Sequence, residues 1–162
     1  MGRLRVLSGS EICRGLSALL FSCFFVGPLA EAQPSSPVVR FFITLERIGC
    51  FGSCPDYKVT ILGNGSVQYI GRAYVRVDGI RTRTVPVKAV QRLIERLRDE
   101  DFFHWEEKEQ VCLDFPEVQI TVSLNGQQKR VLEGCNSPVK VLALAHEIDK
   151  VSGAQHWAGR VR

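Results

Sequence analysis

The chain has 162 residues, enough for one ordinary domain or a domain with a targeting segment, but too few for two full-sized domains. With 45% hydrophobic and 23% charged residues, it excludes a disordered chain, a collagen-like repeat and a multi-span membrane protein. Its 21 Lys and Arg against 17 Asp and Glu leave a net charge of +4, too mild to call for nucleic acid or an anionic membrane as partner.

Residues 1–32 read as a signal peptide. Arg3, Arg5 and Arg14 form a basic start, GLSALLFSCFFV from Gly15 to Val26 forms an apolar centre, and Ala30-Glu31-Ala32 supplies a small-x-small cleavage site. The apolar run is well short of the roughly 20 residues that span a bilayer, so no membrane span is expected after cleavage. Loss of this segment removes three Arg and two Glu, leaving 18 basic and 15 acidic residues, a net charge of +3. Residues 33–37 follow as a Pro/Ser linker, residues 38–158 as a single α+β domain, and residues 159–162 as a tail.

From Val39 the chain alternates Val39, Phe41, Ile43 and Leu45 against Arg40, Phe42, Thr44 and Glu46, the period of a half-buried strand. The segment CFGSCP, residues 50–55, then interrupts it. Beyond lies a hairpin in which Tyr57, Val59 and Ile61 share a face with Val67 and Tyr69, provided that Gly63, Asn64 and Gly65 form a three-residue loop with Gly65 left-handed. Tyr74 to Val77 and Ile80 to Val85 predict a second hairpin around Asp78-Gly79, with Val75, Val77, Ile80 and Thr82 toward the core and Tyr74, Arg76, Arg81 and Arg83 on the opposite face.

Pro86 suits the first turn of a helix running to about Asp101, with an apolar stripe of Val87, Val90, Leu93, Ile94 and Leu97. Phe102, Phe103 and Trp105 should pin its end to the core, and Glu106 to Gln110 make a solvated loop. Glu117 to Leu124 alternates as a strand, Asn125-Gly126 turns it, and Gln128 to Glu133 returns in a register left open because Val131 and Leu132 are adjacent. A last helix has Ser137 as N-cap, Pro138 as first residue, Val141, Leu144, Ala145, Ile148 and Val151 as its apolar set, and Gly153 as its stop. The predicted architecture is a mainly antiparallel sheet of about five to seven strands with two helices on one face, class α+β.

With Cys13 and Cys23 removed in the leader, Cys50, Cys54, Cys112 and Cys135 remain. An oxidising compartment pairs four cysteines into two disulfides, with three connectivities open to sequence. The expected pairs are the local ones, Cys50 with Cys54 and Cys112 with Cys135, contributing roughly 2 and 3.5 kcal/mol on the chain-entropy model. The close Cys50 and Cys54 spacing also admits disulfide exchange or Cu(I) binding. A thioredoxin-like site would sit between a strand and a helix, however, and here a second strand follows.

The segment ITLERIGCFGSCPDYKVTILGNGSVQYIG, residues 43–71, resembles the opening signature of a family of small exported bacterial proteins called domain of unknown function 6438. The residues that carry it are Arg47, Gly49, Cys50, Phe51, Gly52, Cys54, Pro55, Tyr57, Gly65 and Gly71. Later features are similar: a helix that begins near a Pro and ends in Phe102-Phe103, an Asp114-x-Pro116 step, and a last helix followed by Trp157. The resemblance spans residues 40–157 and implies an exported domain with no catalytic residues to carry over.

Catalytic motifs are missing from the sequence: there is no dinucleotide fingerprint, P-loop, H-E-x-x-H or G-x-S-x-G. His104, His146 and His156 have no metal-ligand spacing, and Asp114 with Pro116 reads as a turn beside Glu117. No catalytic residue, metal or cofactor is therefore expected. Arg76, Arg81 and Arg83 are the candidate anion-binding residues, for an anionic glycan, a phosphate or an acidic partner, against the plainer reading of a solvated strand face. The preferred expectation is a non-enzymatic module of the cell envelope, periplasmic or secreted, that binds an unknown ligand or partner. The alternative is a thiol-redox or copper-binding protein using Cys50 and Cys54.

Overall fold

Alternation of apolar and polar residues along six segments builds one antiparallel sheet. In the computed structural model, which describes residues 40–106, 115–135 and 138–159, the strands are β1 (Phe41–Ile48), β2 (Asp56–Leu62), β3 (Ser66–Ala73), β4 (Gly79–Thr84), β5 (Glu117–Leu124) and β6 (Gln127–Glu133). Their order across the sheet is β4-β3-β2-β1-β5-β6. Helix α1 (Val87–Asp99) connects β4 to the second half, and α2 (Val139–Ser152) with the short α3 (Ala154–Ala158) closes the described chain. The class is α+β. The expected leader, the linker, Val39, Cys112, Asp114, Ser137, the loop 107–110 and the tail 160–162 lie outside the described residues. Those that are described belong to the unit Pro37–Arg162.

The core is a single layer between sheet and helices. Phe41, Ile43 and Leu45 of β1, Tyr57, Val59 and Ile61 of β2, Val67 and Tyr69 of β3, and Val118, Ile120, Val122 and Leu124 of β5 meet Val90, Leu93, Ile94 and Leu97 of α1 and Val141, Leu144, Ala145 and Ile148 of α2. Burying each large apolar side chain contributes roughly 1.5–3 kcal/mol, so this layer is the main source of stability. Val87, at the exposed start of α1, drops out of the expected stripe.

The β2–β3 turn follows the expected register: Ile61 opposes Val67, and Gly65 has φ +87°. A side chain at Gly65 would collide with the Val85 carbonyl, while Val85 N–H donates to Gly65 O at 2.9 Å, so the turn also anchors the exit from β4. In the β5–β6 hairpin, Asn125 and Gly126 both have positive φ, and Ile120 pairs with Val131. That places Val131 in the core and Leu132 on the open face. Phe102 and Trp105 are buried after α1 with their rings 5.0 Å apart, and Trp105 Nε1–H donates to Glu100 O at 2.7 Å. Gly153 stops α2 at φ +73°.

The second hairpin is a correction. Residues 74–78 do not form a strand; β4 pairs directly with β3, from Gly71 opposite Gly79 to Ser66 opposite Thr84. Arg81 therefore faces the helix side opposite Tyr69, and Arg83 does so opposite Val67, while Ile80 and Thr82 share the open face with Ile70 and Gln68. An isolated two-stranded hairpin would be marginal, whereas extending β3's ladder over six pairs joins β4 to a large sheet. All six residues of β4 are exposed, and at this edge the Arg83 guanidinium packs against Gly153 at the negative end of α2. Pro86 and Pro138 occupy the N-cap positions, so α2 begins at Val139, one residue later than the sequence suggests.

Candidate functional site

Alternation on β1 sends Arg47 to the helix-covered side, where its cross-strand neighbours are Tyr57 on β2 and Val118 on β5. Asp149 lies on the inward face of α2, one turn beyond Ala145. These three polar side chains meet inside the core. Arg47 Nη2 and Nε donate to Asp149 Oδ2 at 2.8 and 3.1 Å, Tyr57 Oη donates to Asp149 Oδ1 at 2.6 Å, and Arg47 Nε also donates to Tyr57 Oη at 2.9 Å. Arg47 is 8% exposed and Asp149 3%.

Burial works against the Arg47 charge, but the Asp149 carboxylate and the hydrogen bonds it accepts hold the guanidinium above its ordinary value. Burial first, and then the adjacent Asp149 charge, push the Tyr57 phenol far above its ordinary value despite the nearby Arg47. Both carboxylate oxygens are engaged and the phenol keeps its proton. The network orients Arg47 and fixes α2 against β1 and β2; it is not arranged as an acid/base pair.

A cleft of about 1280 Å³ opens where this network reaches the surface, at the end of β1, the starts of β2 and β5, and the end of β6. Arg47 lines its inner part. One wall is the β1–β2 loop, where Cys50 and Cys54 form a disulfide with Cα atoms 5.6 Å apart, Gly52 N–H donates to Cys50 O at 2.9 Å, and Cys54 and Pro55 face the cleft. Phe51 at the tip of this loop is 90% exposed. A second wall is the β3–β4 loop carrying Tyr74 and Arg76, docked by a 2.9 Å bond from Val77 N–H to Trp157 O. Gly71 permits that docking, because a Cβ there would collide with the Val77 carbonyl. Phe115, Pro116 and Glu117 at the start of β5, and Leu142 and His146 on α2, complete the rim.

The sequence-predicted residues divide. Cys54 reaches the cleft and Cys50 is bonded to it; Cys135 also lines the cleft and is disulfide-bonded, whereas Cys112 lies outside the described residues. Arg76 lines the cleft, whereas Arg81 and Arg83 sit on the edge strand β4. His104 bonds Asp101 at 2.6 Å on the surface, away from His146. Among the described residues, no three His, Cys, Asp or Glu side chains converge as a metal site would require.

Sequence reasoning missed the partnership of Arg47, Tyr57 and Asp149, although Arg47 and Tyr57 bracket the signature loop. Tyr74 was legible as a ring that could stack on a sugar or base and His146 as a possible ligand, but nothing local placed them on one cleft, and Phe115 and Leu142 were given no role. A usable signal was Asp149 itself, a charged residue at an inward position of an otherwise apolar stripe.

No curated protein matches this chain significantly. A family model described as a domain of unknown function, DUF6438, matches residues 41–152, all six strands, α1 and α2, with the signature loop inside it. The chain belongs to the DUF6438 family.

Proposed function

We propose that this domain is an exported, non-enzymatic binding module of the cell envelope whose ligand occupies the cleft over Arg47. The observation that carries the reading is the closed Arg47–Tyr57–Asp149 network beneath an open cleft edged by exposed Tyr74, Phe115 and Leu142. Its titratable groups are committed to one another, while large apolar surface stands unburied around them. The disulfides at Cys50–Cys54 and Cys135, with the leader-like residues 1–32, support export to an oxidising compartment. No helix among the described residues is long and apolar enough to cross a membrane.

The test is amide-shift mapping of the isotope-labelled protein during titration with fractionated hydrolysates of envelope polymers and with short peptides. Shifts confined to cleft-lining residues, without consumption of the added compound, are expected. Turnover of any component, or shifts centred on β4 or the open sheet face, would sink the proposal. One observation favours a second reading, thiol or copper chemistry: Cys54 faces the same cleft. A glutathione series with disulfide mapping, repeated with Cu(I), separates the two; selective opening of Cys50–Cys54 or copper uptake would replace the binding reading.

A further inference from the structure

We infer that the cleft takes a neutral oligosaccharide, an assignment that rests on the binding reading above and names its ligand class. The first argument is aromatic. Tyr57, Tyr69, Phe102 and Trp105 are buried in the core, yet Tyr74 and Phe115 line the cleft at 64% and 53% exposure. Tyr74 is also held at φ +52°, a left-handed backbone that bulky side chains rarely adopt and that clusters at ligand clamps. An aromatic ring kept open in this way offers a face on which the apolar C–H side of a sugar ring can stack.

The second argument concerns hydrogen bonding. The strands that reach the cleft floor, β1 and β5, are interior to the sheet and paired along both edges, so a peptide cannot be captured there by strand addition. Polar recognition falls to side chains. Arg76 only donates, Glu117 as a carboxylate accepts, and Ser53 and His146 do both. Such a mixed set matches hydroxyl groups, which donate and accept at once around a ring. Charge points the same way: Asp149 pairs with Arg47, and the remaining lining charges, Arg76 and Glu117, are one of each sign, leaving no net charge to attract a phosphate or polyanion. At about 1280 Å³ the cleft exceeds the roughly 300–1,000 Å³ of drug-sized pockets and suits a short oligomer rather than a single sugar.

The experiment titrates the full chain with cellotriose, maltotriose, xylotriose and chitotriose, in parallel with neutral apolar tripeptides, by calorimetry and amide-shift mapping. At least one trisaccharide should bind with shifts in the cleft. Tyr74→Ala and Phe115→Ala should each weaken it by about tenfold or more, whereas Tyr74→Phe keeps the ring and the affinity. Both positions are exposed, and Arg83→Ala, outside the cleft, is the control that should bind normally. Saccharide binding that is unchanged in the Tyr74→Ala, Phe115→Ala double variant overturns the assignment. So does tripeptide binding at these same amides without saccharide binding, although the binding reading then stands. If neither panel, nor any envelope fraction, shifts the cleft, both fail together.

Discussion

Glu46 and Arg47 are consecutive residues of β1, and each makes ion pairs, but on opposite faces of the sheet. Arg47 lies under α2 in a pair with Asp149 whose side chains are 9% and 4% exposed. Glu46 lies on the uncovered face, 3.1 Å from Lys58 Nζ and 3.2 Å from Arg72 Nη1, and Arg72 also bonds Asp56. The Lys58 and Arg72 side chains remain 39% and 38% exposed, so water screens this second network. Identical chemistry one residue apart thus has different consequences. A screened surface pair is worth about 0–1 kcal/mol, while breaking a buried pair strands a charge in the core.

The largest expected effect comes from Asp149→Ala, which leaves Arg47 buried without its carboxylate. A loss of about 3–5 kcal/mol in urea unfolding is predicted. Replacing Arg47, Tyr57 and Asp149 together with Met, Phe and Leu should recover much of that loss, since apolar substitutes for a buried ion pair are often neutral or stabilising. If Asp149→Ala costs no more than a change at Glu46, the contrast between the two faces collapses.

Tyr57 and Tyr69 sharpen the comparison within the covered face. Their rings lie 5.5 Å apart and both are buried, but Tyr57 Oη bonds Asp149 and Arg47, whereas Tyr69 Oη has no partner among the described residues. Tyr57→Phe should cost about 1–3 kcal/mol; Tyr69→Phe should cost nothing or add up to about 1 kcal/mol. Burial, reinforced by the Asp78 and Asp149 charges, pushes the Tyr69 phenol up to about 12, and Tyr57 is raised further. A folded value raised above the unfolded one, about 10, means that the stabilisation is complete below pH 10 and declines as pH rises through the folded value. Wild-type stability should therefore fall from about pH 10 upward, and less steeply in Tyr57→Phe. An equal alkaline slope in the two proteins would contradict the assignment.

Most of the fold was legible because it depends on local rules: period-two alternation in β1, β2 and β5, the Asn125-Gly126 turn, and the Gly153 stop. The β4 register was not. Asp78-Gly79 is a strong turn signal, and reading it locally reversed the faces of Arg81 and Arg83; the ladder to β3 and the docking of Val77 on Trp157 decide the matter, and both are long-range. The site failed to show for the same reason. Arg47 and Asp149 are 102 positions apart, and only the packing of α2 on β1 makes them partners. The signature loop was visible, but what it encloses was not.

The smallest effect tests the open face. Burial opposes ionisation of Glu46, yet hydrogen bonds from Lys58 and Arg72 and their charges outweigh it and hold the carboxyl below its ordinary value of 4.5. A depressed folded value places its stabilisation above the unfolded value and removes it as pH falls through the folded one. Glu46→Gln should therefore cost less than about 1 kcal/mol at neutral pH. That cost should shrink further in about 1 M salt, where the Debye length is about 3 Å, and vanish below the folded value. Urea titrations at low and high salt measure it. A cost that survives high salt would mean that Glu46 acts through packing and hydrogen bonding at the sheet surface, and the two faces of β1 would then differ in degree rather than in kind.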